Sequence, residues 1–495
     1  MSSNLATSEE QPQLSRSIGL GRVLFQSIGV MGPGASIVFG LGLIIANTGE
    51  ASPFTMLVTL IAAIFVAVGV GQLAVRVPGS GGIYSLASVA LGSDVGFVVG
   101  WIYAIMALFL PAVAAILFGI VGKDFCTTYL HFTPTWWVLA LAVLAVALAF
   151  SYFGVQISTR VTLALGTIEI FILCLVSVLL IVHAAGANTL AVFNPAKAAQ
   201  AGKSTLTWTF LGVVYALAMF VDFTSAVHLA EEAKNPRRVV PRALLIAAIM
   251  IGLFYMLAMY AAVVAWGPSH LGGYLTSPNP WQKLSGELGG WATVLVLLAI
   301  LSSTAAMTLA GYTATTRLLF SMSRSGVLPH SLSKVHIRHK TPYIAAFVTG
   351  AITTVAMFVA AGKFGGAYNA FVYMITIVAV VFIFLYIIAC VGCIVYFLTK
   401  GRAELNILLH VVAPLIAVVM LVPALYYSGS GLAYPASWSV PTILVWSGIG
   451  LIILAVLRVQ HRDVSTEMRR WTIAAADEVE VEPPSVSRTY SPTPE

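Results

Sequence analysis

Runs of apolar residues alternate with short polar segments along most of the chain. Each run holds about 20 residues, which as a helix crosses the roughly 30 Å hydrocarbon core of a bilayer. We predict twelve membrane-spanning helices, numbered in chain order, at residues 22–46, 54–76, 94–121, 135–153, 158–183, 207–230, 242–265, 290–316, 343–361, 369–397, 406–427 and 438–457. The predicted fold class is therefore an all-α polytopic membrane protein with both termini on one side.

The first span contains a helix-breaking sequence. Gly32-Pro33-Gly34 lies in its middle, and proline lacks the N–H of an intrahelical bond and clashes with the preceding turn. A break would leave the amides of Gly34, Ala35 and Ser36 at the start of an outer half-helix, which is a site that favours anions. The alternative is a simple kink packed by neighbouring helices.

The sixth span carries the second irregularity, because Asp222 lies deep in its apolar run. A charge at membrane depth costs about 2.5–3.5 kcal/mol on insertion scales and marks a functional site by default. Interrupted helices at matching positions, five spans apart, favour a transporter built from two inverted five-helix repeats.

This arrangement divides the chain into five parts. We predict a flexible cytoplasmic tail, a first repeat, an inverted second repeat, two accessory helices and a disordered acidic cytoplasmic tail, at 1–17, 18–184, 205–397, 406–457 and 471–495.

Composition and charge agree with a membrane protein. Hydrophobic residues make up 59% and charged residues 9%, against about 25% charged in soluble domains. With the N-terminus inside, 20 of the 25 Lys and Arg residues fall in inner segments, so we expect cytoplasmic termini and a plasma (cell inner) membrane location. The net charge of +7 is thus explained by topology, and we expect no nucleic-acid partner. The CxxC of Cys390 and Cys393 has no second pair to complete a metal site.

Several motifs in order resemble the amino acid–polyamine–organocation (APC) permease family. They are the glycine break of the first span, PGSGGIY at 78–84, Gly154-Val155, EEAKNPRR at 231–238 and the R-x-x-x-x-M-x-R-x-G-x-L-P run at 317–329. The resemblance implies a LeuT-like 5+5 inverted-repeat core, first and sixth spans unwound at the substrate, and transport by alternating access. Members often carry Phe-x-Gly-Phe-Glu in the sixth span, whereas here Asp222 replaces the glycine and Thr224 the glutamate.

The resemblance also implies a substrate pocket. Alongside Asp222 we expect it to be lined by the first, third, sixth and tenth spans. The residues expected there are Gly32, Gly34, Ala35, Ser36, Met106, Ala107, Pro111, Phe220 and Phe223. Phe220 is the expected closing aromatic, and Tyr103 is a weaker candidate. His228, near the inner end of the sixth span, is expected to face a loop or to cap the helix.

Glu169 and Asp222 are the two candidates for proton coupling. Glu169 lies near the middle of the fifth span, where desolvation favours the uncharged carboxyl. It could carry a proton, or be a neutral carboxyl bonded to a backbone carbonyl. Asp222 could bind the ammonium group of a substrate, carry a proton, or accept hydrogen bonds from freed amides.

The sequence predicts a secondary transporter importing an amino acid or related organic amine, with a proton as coupling ion and no cofactor. Its partners are the small-molecule substrate and the bilayer. Ser302 and Ser303 are weak candidates for a sodium site; no other metal ligands are expected. A substrate–product exchanger is the nearer alternative, and a channel or membrane enzyme the distant ones. Substrate identity and oligomeric state stay open.

Overall fold

The computed structural model describes residues 18–76, 82–153, 155–198, 204–277, 279–324, 328–429 and 432–459, so the predicted tails at 1–17 and 471–495 lie outside it. The described part of the chain is helical and has no strand; its β-type pairing is one isolated bridge between Ile18 and Ala233.

The first half of the chain forms eight helices. They are α1 (Leu20–Met31), α2 (Pro33–Ala35), α3 (Leu41–Thr48), α4 (Ser52–Arg76), α5 (Ile83–Leu91), α6 (Ser93–Tyr129), α7 (Trp136–Phe153) and α8 (Val155–Ala184). A π-helical turn, Ser36–Gly40, joins α2 to α3, and short 3₁₀ turns at Gly49–Ala51, Ala185–Ala187, Leu190–Phe193 and Pro195–Ala198 complete this half.

The second half begins with α9 (Thr205–Met219) and the 3₁₀ helix Phe223–Glu232. It continues with α10 (Pro236–Trp266), α11 (Leu271–Thr276), α12 (Pro280–Glu287), α13 (Gly290–Arg324), α14 (Tyr343–Phe364), α15 (Ala367–Thr399), α16 (Ala413–Ser428) and α17 (Ser439–Val459). Shorter elements are 3₁₀ turns at Pro268–His270, His330–Ser333, Arg402–Glu404 and Ala436–Trp438 and a π-helical turn at Leu408–Val412.

Eleven helical segments of the described residues are long and apolar enough to cross a membrane. The first, Leu20–Arg76, is 57 residues long and includes α1 to α4. Three helices run clearly beyond their predicted ends: α6 and α13 each continue eight residues further, to Tyr129 and Arg324, and α10 begins six residues earlier, at Pro236.

The break predicted in the first span is present. Helix α1 ends at Met31, Gly32 has φ 55° and ψ 68°, and Pro33 begins α2. Glycine suits this left-handed backbone. It also allows a close approach, since a Cβ at Gly32 would lie 2.7 Å from Met307 Sδ.

The sixth span is broken as well. Helix α9 ends at Met219, and the chain continues as a 3₁₀ helix of ten residues. Runs of 3₁₀ helix longer than three or four residues are uncommon, and inside a span they often mark a functional hinge. The 3₁₀ helix packs against α1, α10, α13 and α4, so it occupies the centre of the bundle.

Candidate functional site

The two broken spans meet through hydrogen bonds. Tyr255 of α10 donates its hydroxyl to the Met219 carbonyl (3.1 Å) and lies 3.5 Å from the Met31 carbonyl. The Ala226 amide donates to Ser27 Oγ (3.1 Å). The carbonyl groups where α1 and α9 end are therefore bonded by a single tyrosine, and the half of the first span before its break is joined directly to the half of the sixth span after its break.

The amides predicted to bind an anion have partners inside the protein. Gly34 and Ala35 donate to Ser303 Oγ, at 2.9 and 3.1 Å, and Ser36 donates to the Gly32 carbonyl at 2.8 Å. Ser302, the other weak sodium candidate, donates to the Ala299 carbonyl of its own helix. In this conformation Ser303 occupies the position where an anionic group would meet the Gly34 and Ala35 amides; substrate binding there stays a prediction.

Glu169 of α8 is completely buried beside the same break. Its carboxyl adjoins the Ser303 hydroxyl, but neither oxygen meets hydrogen-bond geometry with any described group. A Cβ built at Gly34 would lie 3.0 Å from Ser303 Cβ and 3.2 Å from Leu173 Cδ1, which shows how closely α8 and α13 approach the break. Leaving a buried carboxyl without hydrogen bonds is costly, particularly when it is ionised.

Asp222 lies at the break of the sixth span with φ 46° and ψ 35°. Aspartate, like asparagine, tolerates this left-handed backbone better than most residues with a side chain. The carboxylate is buried, and its Oδ1 accepts from Tyr103 (3.3 Å) and Thr224 (3.4 Å). Among the described side chains, neither Asp222 nor Glu169 forms an ion pair with Lys or Arg.

The observed position of His228 differs from the prediction and adds this residue to the site. It was expected to face a loop or cap the helix, but it is buried and its Nε2 lies 2.6 Å from the Tyr103 hydroxyl. The reason is the 3₁₀ conformation: at three residues per turn, positions 222, 225 and 228 fall on one face. In an α-helix, which has 3.6 residues per turn, His228 would lie on a different face from Asp222, six residues earlier. Tyr103, the weaker candidate of the third span, thus contacts both.

Met106 and Ala107 of α6 lie beside Asp222, as the predicted pocket requires. Together with Tyr103, His228 and residues of α13 they enclose it without a cavity that holds a water-sized sphere. Pro111 lies further along α6, against Gly311 of α13.

The two predicted aromatics, Phe220 and Phe223, are both buried; one precedes Asp222 in the sequence and the other follows it. Phe220 packs edge-on against Tyr255 (ring centroids 5.4 Å apart), and Phe223 packs against Tyr386 (5.2 Å). Tyr386 also donates to the Phe220 carbonyl (3.1 Å). The aromatic packing thus supports the backbone of the break.

A small apolar cavity of about 30 Å³ lies along the part of the first span that follows its break. Its lining includes two predicted substrate residues, Ala35 and Ser36, and side chains from α6, α9, α13 and α15: Val113, Leu117, Tyr215, Ala218, Met219, Met307, Phe371 and Ile375. Asp222 is not part of this lining.

A buried ion pair and a backbone bridge lie at the C-terminal end of the 3₁₀ helix. Arg317 Nε of α13 lies 2.9 Å from Glu232 Oε1, and both side chains are about 4% exposed. The Ile18 amide donates to the Glu232 carbonyl (3.0 Å), and the Lys234 amide donates to the Ile18 carbonyl (2.8 Å). The segment before α1 is therefore hydrogen-bonded, through Ile18, to the backbone of Glu232 and Lys234 at the end of the sixth span.

Two broken helices that meet around buried carboxyls, within a bundle of membrane-length helices, define a class of protein, the polytopic membrane transporters. The family model described as "Amino acid permease" matches residues 18–455. The chain belongs to this family of transporters, which confirms the resemblance to APC permeases.

Relatives with similar sequences carry named transport activities. A branched-chain amino acid permease of Bacillus subtilis is 26% identical over 373 residues, covering 70% of this chain and 76% of the relative. A low-affinity putrescine importer of Escherichia coli K12 is 24% identical over 362 residues, covering 72% and 78%. An L-asparagine permease of Salmonella typhimurium is 25% identical over 366 residues, covering 68% of each.

Proposed function

We propose that this protein is a secondary transporter that imports an amino acid or a related organic amine by alternating access, driven by protons. The observation that carries the proposal is the pair of buried carboxyls, Glu169 and Asp222, at two helix breaks that touch each other. The similarity to an amino acid permease and a putrescine importer supports a substrate with an amine group.

The proposed architecture has twelve crossings. A helical segment of 57 residues would extend about 85 Å if straight, far more than one crossing of about 30 Å requires. We therefore count α1–α3 and α4 as two crossings that turn at Gly49–Ala51. Both termini then lie on one side, and the distribution of Lys and Arg predicts that this side is the cytoplasm.

In the proposed binding mode, an anionic end of the substrate replaces Ser303 at the Gly34 and Ala35 amides. An ammonium end binds the Asp222 carboxylate and the carbonyl groups of the sixth-span break. This mode accounts for a buried anion that has no Lys or Arg partner among the described side chains, because the partner arrives with the substrate.

The coupling proton would bind Glu169. Its carboxyl touches Ser303, so a change in its charge would act on the hydroxyl that holds the broken first span. A buried carboxyl with no hydrogen bond to either oxygen is stabilised in the neutral form and would ionise when the site opens to water.

Uptake into proteoliposomes tests the proposal. Labelled leucine, asparagine and putrescine are supplied outside, with and without an inside-alkaline pH gradient. Saturable accumulation that needs the gradient supports proton-driven import. Flux that needs internal substrate but ignores the gradient would replace import by exchange, and flux that never saturates would contradict a carrier.

A further inference from the structure

Asp222, Tyr103 and His228 form a continuous chain of hydrogen bonds. The Tyr103 hydroxyl lies 3.3 Å from Asp222 Oδ1 and 2.6 Å from His228 Nε2, and all three side chains are buried. The chain runs from the break of the sixth span along two turns of 3₁₀ helix towards the Glu232–Arg317 pair.

The same heavy-atom positions satisfy two arrangements of the proton. When His228 carries protons on both ring nitrogens, its Nε2 donates to Tyr103, and Tyr103 donates to the Asp222 carboxylate. When Asp222 is protonated, it donates to Tyr103, and Tyr103 donates to the bare Nε2 of a neutral His228 that keeps its proton on Nδ1. One arrangement converts into the other when one proton moves from His228 to the Tyr103 oxygen and the Tyr103 proton moves to Asp222. No bond to carbon is made or broken.

On its other side, the His228 ring contacts the loop that follows the second span. A Cβ at Gly82, which has φ 63°, would lie 2.5 Å from Cε1 and 3.1 Å from Nδ1 of His228. The imidazole therefore rests against the backbone at Gly82, which follows the predicted cytoplasmic segment 77–81. This contact gives the PGSGGIY motif a role at the site, because any side chain at 82 would displace the ring.

We propose that Asp222 exchanges protons with the cytoplasm through Tyr103 and His228 while the inner side is closed to substrate. The proposal rests on the proposed function, since it assigns a control to the carboxylate that binds the substrate amine. A proton from the cytoplasm reaches His228, passes along the chain and neutralises Asp222. The neutral carboxyl no longer attracts an ammonium group, so acid inside the cell lowers the affinity for substrate outside.

Among the described residues, few other titratable side chains adjoin these three. On the elements around the 3₁₀ helix, the buried groups are Tyr255 of α10, bonded to Met219, and Arg317 of α13, paired with Glu232; Tyr386 of α15 bonds to the Phe220 carbonyl. The same elements carry further cations nearer the surface: Arg22 of α1, Arg76 of α4 (paired with Glu404), and the exposed Arg237, Arg238 and Arg242 at the start of α10. Other neighbours, Gln26 and Ser27, do not titrate. The pair that can change charge within the chain is therefore Asp222 and His228.

The test measures how internal pH affects external affinity. Proteoliposomes are held at constant external pH while internal pH is lowered from about 8 to about 5.5, a range in which histidine titrates. The external concentration for half-maximal uptake of labelled putrescine and leucine is then determined. In the unmodified protein we expect this concentration to rise, by at most about tenfold per pH unit because a single proton is involved.

Tyr103→Phe removes the hydroxyl that links both ends and keeps the ring. We expect its half-maximal concentration to change less than about twofold over the same internal pH range, whatever its uptake rate, because neither proton can pass the missing hydroxyl. Tyr312→Phe is the matched control: it removes another buried hydroxyl, bonded to the Ala346 carbonyl, and should respond as the unmodified protein does.

The outcomes separate the two proposals. Full internal-pH dependence in Tyr103→Phe, or none in an unmodified protein that transports well, overturns the proton chain and leaves the transporter standing. Transport of neither probe by the unmodified protein overturns the proposed function and the chain with it.

A second measurement tests the same proposal if the Tyr103→Phe protein does not fold. Thermal stabilisation of purified protein by putrescine is followed against pH in the unmodified protein and in His228→Gln. We expect the pH of half-maximal stabilisation to move by about one unit, because Asp222 loses the group with which it shares a proton. A weaker stabilisation with an unchanged midpoint would mean that His228 is only structural and would overturn the chain.

Discussion

Ser303 holds Gly34: its hydroxyl oxygen accepts the Gly34 amide at 2.9 Å and so closes the break of the first span from the side of α13. Ser303→Ala should leave the Gly34 and Ala35 amides without this acceptor, at a cost of about 1–3 kcal/mol per buried group. The melting temperature in detergent should fall clearly below that of Ser302→Ala, whose hydroxyl bonds only within its own helix. Equal melting temperatures would show that Ser303 does not stabilise the break.

Glu169→Gln should abolish gradient-driven accumulation and leave exchange of internal for external substrate measurable. Glutamine keeps the shape of the neutral carboxyl but cannot release a proton. The matched control is Glu287→Gln, an exposed glutamate at the end of α12, which should accumulate substrate normally. Intact accumulation in Glu169→Gln would rule out its proton role.

Asp222→Asn and Asp222→Gly should both raise the half-maximal concentration for putrescine by about tenfold or more, since losing about 1.4 kcal/mol of binding energy is a factor of ten. Both residues tolerate φ 46°, so the backbone is preserved while the charge is removed. Asp222→Ala serves as a comparison that adds backbone strain and should also lower stability. Unchanged transport in the asparagine and glycine variants would contradict every functional role for this carboxylate.

Arg317→Met should destabilise the protein by about 3–5 kcal/mol, because it leaves the Glu232 carboxylate buried without its cation. Adding Glu232→Gln to the same protein should restore much of the loss, which a double-mutant cycle of melting temperatures would reveal. The exposed pair Asp94–Arg458 is the control: Asp94→Ala should cost less than about 1 kcal/mol. A double variant that is no more stable than Arg317→Met would contradict this account.

Gly82→Ala should remove the response of external affinity to internal pH, because the new methyl group would collide with the His228 ring. Gly92→Ala is a close control: Gly92 also has positive φ, 102°, but a Cβ there would meet nothing within 4 Å. Both variants carry backbone strain, whereas only Gly82→Ala displaces the imidazole. The same loss in both would attribute the effect to strain alone.

The sequence predicts the break of the first span well because its cause is local. Gly32 and Pro33 impose the backbone directly, whatever surrounds them. The C-terminal end of α13 is harder to predict, because the helix continues seven residues past Arg317 to Arg324. Arg317 itself is buried against Glu232, a partner far away in sequence.

The hydrogen-bond chain could not be predicted from helical periodicity. An α-helical sixth span places Asp222 and His228 on different faces, and the 3₁₀ helix brings them into line. The partner of both, Tyr103, comes from another helix and is an ordinary aromatic in an apolar run. A histidine six residues after a buried aspartate, in a span already expected to unwind, was the available signal.

The left-handed backbone at Asp222 has an evolutionary consequence. The resemblance to APC permeases implies a glycine at this position in many members, and the codons for glycine and aspartate can differ by a single nucleotide. Since both residues accept the same φ, one point mutation can add or delete a negative charge at the centre of the protein without a change of backbone conformation. A permease lineage could therefore gain or lose selectivity for amines in one step, and natural variation at this position should follow the charge of the nutrient carried.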